Sequence, residues 1–159
     1  MTFFGTMDTI SLEVKIILRE KALEMLHTQI QDIKDQLSAL GEAGEGEDKS
    51  SAGDKYETQR EMIRQSRDLL DVQLSRAQKT LEYLKRIPTQ TNFSIQEGAL
   101  VKLSTATLWI SVPLGKLIHE GQEYQLISPG SPLFMALKSL KVGDSIMFRG
   151  KSILVKGLV

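Results

Sequence analysis

Cysteine is missing from this chain of 159 residues. That excludes disulfides, thiolate zinc sites and cysteine nucleophiles together. Histidine is nearly missing too: His27 and His119 are the only two, too few for a histidine metal cage. There is no excess charge of either sign, because the formal net charge is zero. General attraction to nucleic acid or to an anionic membrane is therefore not expected. No apolar run is long enough to cross a bilayer. Met1-Thr2-Phe3-Phe4-Gly5 lacks a basic segment followed by an apolar core, so no secretion signal is expected and the expected compartment is the cytoplasm. What remains is the composition of an ordinary soluble protein, 41% hydrophobic and 25% charged, long enough for one domain or two small ones.

The first half is patterned for helix. Ser11 to Leu40 contains no glycine or proline. Ile16, Leu23, Ile30 and Leu37 recur every seven residues, and Leu26, Ile33 and Leu40 form a second set offset by three. This alternation predicts a narrow coiled-coil seam, with Arg19 as an imperfection near its start. Gly41 is the expected stop. The stretch from Gly41 to Gly53 is polar and glycine-rich, and is expected to be a turn. Glu42, Glu45, Glu47, Asp48 and Asp54 oppose Lys49 alone there, which by itself describes a solvated loop.

A second helix is expected from about Asp54 to Ile87, stopped by Pro88. Ile63, Leu70, Ala77 and Leu84 repeat by seven, and Leu74 and Leu81 supply the offset set with Arg67 as its polar member. Two seams of similar length joined by a short connection predict an antiparallel pair. Arg60, Arg64, Arg76, Lys79, Lys85 and Arg86 make the rest of this helix basic, a solvated face or a contact for an acidic surface.

Asp54 and Glu57 stand three apart where the second helix begins. One reading is a capping box, with Asp54 as the cap and Glu57 reaching back to its N–H. The other is a pair of carboxylates at the end of a rod, able to share a divalent cation. Mg²⁺ suits that reading because it accepts one or two carboxylates while keeping waters and phosphate ligands. Two carboxylates do not complete such a site, so a second protein would have to.

From Phe93 onward the heptads vanish. Ala99 to Leu103, Thr105 to Val112 and Glu123 to Ile127 read as strands. Ser131 caps a short helix with Pro132 at its first position. Leu133, Phe134, Ala136, Leu137 and Leu140 give that helix an apolar face. Ser145 to Phe148 and Ser152 to Val155 form a hairpin across Arg149-Gly150-Lys151. No nucleophile–base pair or phosphate loop is visible. His119 is expected to be solvated beside the Glu120-Gly121 turn. The fold class is α+β, with a coiled-coil hairpin over residues 1–90, its acidic tip at about 41–57, and a small α+β domain over 93–159.

These features together resemble the Gre family of bacterial transcript-cleavage factors. Ile127-Ser128-Pro129-Gly130-Ser131-Pro132-Leu133, then Ala136-Leu137, then Lys141-Val142-Gly143-Asp144 follow the family's order in the C-terminal domain. At the tip the family has Gly-Asp-x-x-Glu, and here stands Gly53-Asp54-Lys55-Tyr56-Glu57. Ser51-Ala52-Gly53-Asp54-Lys55-Tyr56-Glu57-Thr58 looks most like a short Gre-like subgroup. The chain departs from the family at Thr58-Gln59-Arg60-Glu61, where the family continues Asn-Ala-Glu-Tyr.

The resemblance implies an FKBP-like C-terminal domain that docks on RNA polymerase, with Ser131, Pro132 and Leu133 in the partner-binding segment. It implies that the coiled coil enters the polymerase's secondary channel. Asp54 and Glu57 would there act on the backtracked RNA 3′ end through Mg²⁺ shared with the polymerase active site. No cofactor would be held tightly by the chain itself, and the chain would not be a free-standing enzyme. Some relatives of this architecture occupy the channel without promoting cleavage. Two readings of other kinds remain. One is a prolyl isomerase, which needs an aromatic cleft, whereas Phe93, Trp109, Tyr124, Phe134 and Phe148 are expected to pack in the core. The other is an adaptor that self-associates through the coiled coil.

Overall fold

A computed structural model describes residues 10–47 and 53–159, with backbone alone for 42–47 and 53–56. Phe3 and Phe4, and the Asp48 to Ala52 part of the tip loop, lie outside the described residues.

Two long helices come first, α1 (Leu12–Glu47) and α2 (Gly53–Arg86), packed together as a hairpin. They run antiparallel. Near one end the Arg19 guanidinium donates to the Lys85 carbonyl at 3.0 Å. Far along α1, Gly41 lies beside Arg67, whose Nη2 is 3.6 Å from where a Cβ on Gly41 would stand. The expected seam of α2 holds: Ala77, Leu81 and Leu84 are buried, and Ile63, Leu70 and Leu74 are half-buried. In α1, Leu26, Ile30 and Ile33 are buried, and Leu37 and Leu40 are half-buried.

Two expectations for α1 need correction. The helix does not stop at Gly41 but runs on to Glu47. Gly41, Gly44 and Gly46 all lie inside the helix, at about 1 kcal/mol each, a cost that packing alongside α2 offsets. The seam also changes phase near the start. Ile16 is 41% exposed, while Lys15, Leu18 and Ala22 are fully buried. The buried ridge advances by four residues at each step from Leu18 to Ile30, which swings it around the helix relative to a strict heptad. The beginning of α1 has two surfaces to meet, α2 and a sheet.

That sheet has six strands in the order β3-β4-β2-β1-β6-β5. They are β1 (Leu100–Leu103), β2 (Thr107–Ile110), β3 (Gly115–His119), β4 (Gln122–Ile127), β5 (Ser145–Phe148) and β6 (Lys151–Leu158). All neighbours are antiparallel except β2 and β4, which are parallel. A parallel pair needs a crossover, and here β3 supplies it before hairpinning back onto β4. The strand over Gly115–His119 escapes sequence reading because only Leu117 in it is buried.

A short helix, α3 (Pro132–Leu137), closes one face. Phe134 and Leu137 pack with Val101, Leu103, Leu108, Ile110, Ile153 and Val155. The pairing Leu100↔Trp109↔Leu126 places those residues on the other face, and Gly157↔Lys102 belongs with them. Ile10 covers this second face at Gly157, with its Cδ1 3.1 Å from where a Cβ would be, so a side chain there would have to push Ile10 back by a few tenths of an ångström. Strands β1 and β2 are thus buried on both sides. Each fully buried leucine among these contributes roughly 1.5–3 kcal/mol.

By contacts the chain divides into two compact units. One joins the described residues up to Leu23 with Tyr83–Val159, and the other is Glu24–Glu82. The first turns of α1 and the last turn of α2 thus belong with the sheet.

Candidate functional site

The carboxylate pair sits where α2 begins. The helix already includes Gly53, so Asp54 lies inside the first turn. Positions 54 and 57 are one helical turn apart and fall on the same face. Glu57 is exposed; the Asp54 side chain lies outside the described ones. A helix N-terminus carries partial positive charge, which favours anions at these positions. Along α2, roughly 45 Å of continuous helix separates Asp54 from Lys85.

The next acid is committed elsewhere. Glu61 accepts from Arg64 at 2.6 Å and from Gln65 at 3.3 Å. The Arg64 guanidinium holds the Glu61 carboxyl below the usual carboxylate range. Thr58, Gln59 and Arg60 also have partners. Among the described residues no group of three or more histidines or acids is arranged to hold a metal. Two carboxylates on one helical face suit a hydrated Mg²⁺ whose other ligands come from elsewhere.

The Ser131-Pro132-Leu133 segment is built as the sequence predicts. Ser131 is the cap of α3, with extended backbone (φ −71, ψ 147) and a hydroxyl that accepts from the Phe134 N–H at 3.2 Å. Pro132 is exposed, and Leu133 packs partly against the core. The Lys141-Val142-Gly143-Asp144 turn is fastened similarly. Asp144 Oδ2 accepts from the Lys141 N–H at 2.9 Å, and Gly143 takes a φ of 98 that disfavours any other residue. These residues hold the domain's shape and leave Pro132 and Met135 at its surface.

Three features differ from the expectations. Phe93 is 91% exposed instead of packed, because it lies in the segment between α2 and β1, while Asn92 and Ile95 turn inward. Of the other four aromatics expected in the core, Trp109, Tyr124 and Phe134 are buried, and Phe148 packs partly against the core beneath the Arg149 guanidinium. His119 is mostly covered rather than solvated, with Nε2 4.0 Å from Glu120.

The third feature is a buried cation that the sequence reading passed over. Lys15 is fully buried, and its Nζ donates to the Gln90 carbonyl at 2.7 Å and to the Val159 carbonyl at 2.8 Å. One side chain thereby ties the start of α1 to the segment after α2 and to the chain beyond β6. Burial pushes its pKa down to about 8. Its spacing with Leu18 and Ala22 was the available signal. Tyr83, hydrogen-bonded to Glu97, adds a second tie, and its phenol is pushed up to about 12 by burial and that carboxylate.

No protein-family model matches the chain, and no curated protein matches it. Among the described residues no helix is long and apolar enough to cross a membrane.

Proposed function

We propose that this chain is a transcription factor of the Gre-like kind, acting in the cytoplasm of a bacterium. It binds RNA polymerase, inserts the helical hairpin into the secondary channel and stimulates cleavage of backtracked RNA. The observation that carries this reading is the carboxylate pair on one face at the start of a long α2. Support also comes from the C-terminal sheet, where the capped α3 and the Lys141–Asp144 turn have the order that the resemblance rests on.

In this reading Asp54 and Glu57 lend carboxylates to Mg²⁺ shared with the polymerase active site. That ion, when bound, stabilises the attacking and leaving oxygens of phosphodiester hydrolysis. The chain's own part is to carry the two anions to the channel's inner end and hold them on a rigid helix. The exposed surface around Pro132 and Met135 is where the FKBP-like domain meets the polymerase. The hydrolysis belongs to the polymerase, so the chain is no enzyme alone.

The departure at Thr58-Gln59-Arg60-Glu61 favours a second reading with the same docking but no cleavage. Glu61 is held by Arg64 and Gln65, so it does not extend the acidic pair. Halted elongation complexes separate the two. Cleavage that disappears in Asp54→Ala/Glu57→Ala, with polymerase binding retained, supports the first. Binding without any cleavage by the wild type supports the second. Failure to bind polymerase removes both.

A further inference from the structure

The sheet ends at two edge strands, β3 and β5, and the two edges differ. At β3 the Lys21 ammonium donates to the Ile118 carbonyl at 3.1 Å, and Lys116 lies 3.5 Å from Glu123. At β5 the two-residue turn Arg149-Gly150, with φ of 50 and 80, sets the ladder. Phe148 and Ile146 face Lys151 and Ile153 as hydrogen-bonded pairs. Ser145 and Met147 alternate with them, so their N–H and C=O groups point away from β6. The partner strand shows the same phase, since Leu154, opposite Ser145, turns its own N–H and C=O to Ser104. Among the described residues the outward backbone groups of Ser145 and Met147 meet no partner, and Met147 is 69% exposed.

The charge around this open edge is almost all of one sign. From Ile127 to Val159 the cations are Lys138, Lys141, Arg149, Lys151 and Lys156, and the one acid is Asp144. All six are exposed. Asp144 accepts from the Lys141 N–H at 2.9 Å, so its carboxylate closes its own turn. None of the five cations has a carboxylate partner among the described residues. Lys141 stands before β5, and Arg149 and Lys151 stand at its far end.

These two features together select an occupant. Alternating N–H and C=O groups on a strand edge are matched by another extended polypeptide. A sugar–phosphate chain, which lacks N–H donors, does not match them. An antiparallel second copy brings Lys141 against Arg149 and Lys151, with Asp144 as its one acid and that already bonded. A parallel copy sets each cation against itself. An extended segment with acids at both ends satisfies the backbone and the cations at once.

We propose that the β5 edge docks an extended acidic segment of another protein as an added strand. Its backbone pairs with Ser145 and Met147, and its carboxylates meet Lys141 at one end and Arg149 and Lys151 at the other. The proposal does not rest on the reading of Asp54 and Glu57.

The test uses the full chain and a fluorescein-labelled peptide, Glu-Glu-Thr-Val-Thr-Val-Glu-Glu; a control has lysine in place of every glutamate. Fluorescence anisotropy should show binding of the acidic peptide, weakened as salt rises, and at least about tenfold weaker binding of the lysine peptide. Lys141→Glu/Lys151→Glu should invert that preference, with thermal unfolding close to wild type because both side chains are exposed. Two more acidic peptides, N-methylated at one or the other alternate set of amides, probe strand pairing on the unaltered chain. One should bind like the parent, and the other should bind at least about tenfold more weakly. Equal binding of the acidic and lysine peptides, equal loss with both N-methylated peptides, or no binding of the acidic peptide would overturn the proposal. So would a single-stranded oligonucleotide that binds more tightly than the acidic peptide and is lost in Lys141→Glu/Lys151→Glu, since the cations would then serve phosphates. Sedimentation showing a dimer that Met147→Pro dissociates would also overturn it, since the edge would then belong to a second copy.

Discussion

Lys15 shows how much one side chain fixes in this protein. Its ammonium has no water to rely on and is held by the carbonyls of Gln90 and Val159. Lys15→Met removes both hydrogen bonds and should cost about 1–3 kcal/mol in urea unfolding at neutral pH. The folded pKa is about 8, below the 10.5 of a free lysine. Between those values the unfolded chain binds the proton and the folded one does not. Stability relative to Lys15→Met should therefore be flat below pH 8, then rise toward pH 10.5 at up to about 1.4 kcal/mol per unit. A parallel pH profile for the two proteins would contradict this. Glu120 makes a simpler case. It takes a φ of 50 and precedes Gly121 at 75, so the two form the mirror-image turn that prefers Asn-Gly. Glu120→Asn should stabilise by about 0.5–1 kcal/mol in the same assay.

Gly41 decides between two views of α1. A glycine that ends a helix adopts a left-handed conformation, and alanine there would destabilise. In the structure Gly41 is inside the helix, and a Cβ would meet only the far end of Arg67 at 3.6 Å, an ordinary contact. Gly41→Ala should therefore stabilise by about 0.5–1 kcal/mol, and destabilisation would restore the earlier stop. Helix α2 was legible in the sequence almost residue for residue, because its seam keeps one heptad register from Ile63 to Leu84. The start of α1 was not, since it serves both α2 and the sheet and its ridge shifts phase at Leu18 and Ala22. The cap at Ser131 and the Arg149-Gly150 turn were legible because their chemistry is local. The parallel pairing of β2 with β4 and the nearly bare strand β3 were not, since both follow from tertiary pairing. The carboxylate pair was legible as a spacing, but its place inside the helix needed the backbone.

The molecule as a whole is a two-helix hairpin followed by a six-stranded sheet closed by one short helix, and its proposed work depends on both parts. The sheet domain would anchor on RNA polymerase while Asp54 and Glu57 reach the active centre. Removing the domain's surface apolar contact, as in Met135→Glu, should weaken polymerase binding by roughly tenfold and leave helix content unchanged. The most direct measurement is RNA cleavage in backtracked elongation complexes of bacterial RNA polymerase, with the wild-type chain and with Asp54→Ala/Glu57→Ala. The wild type should accelerate release of the RNA 3′ fragment. The double variant should bind equally well and lose that acceleration by roughly a hundredfold, the scale expected when a charge-stabilising group leaves an active site. A wild type that leaves the cleavage rate unchanged, or a double variant as active as the wild type, would contradict the proposed function.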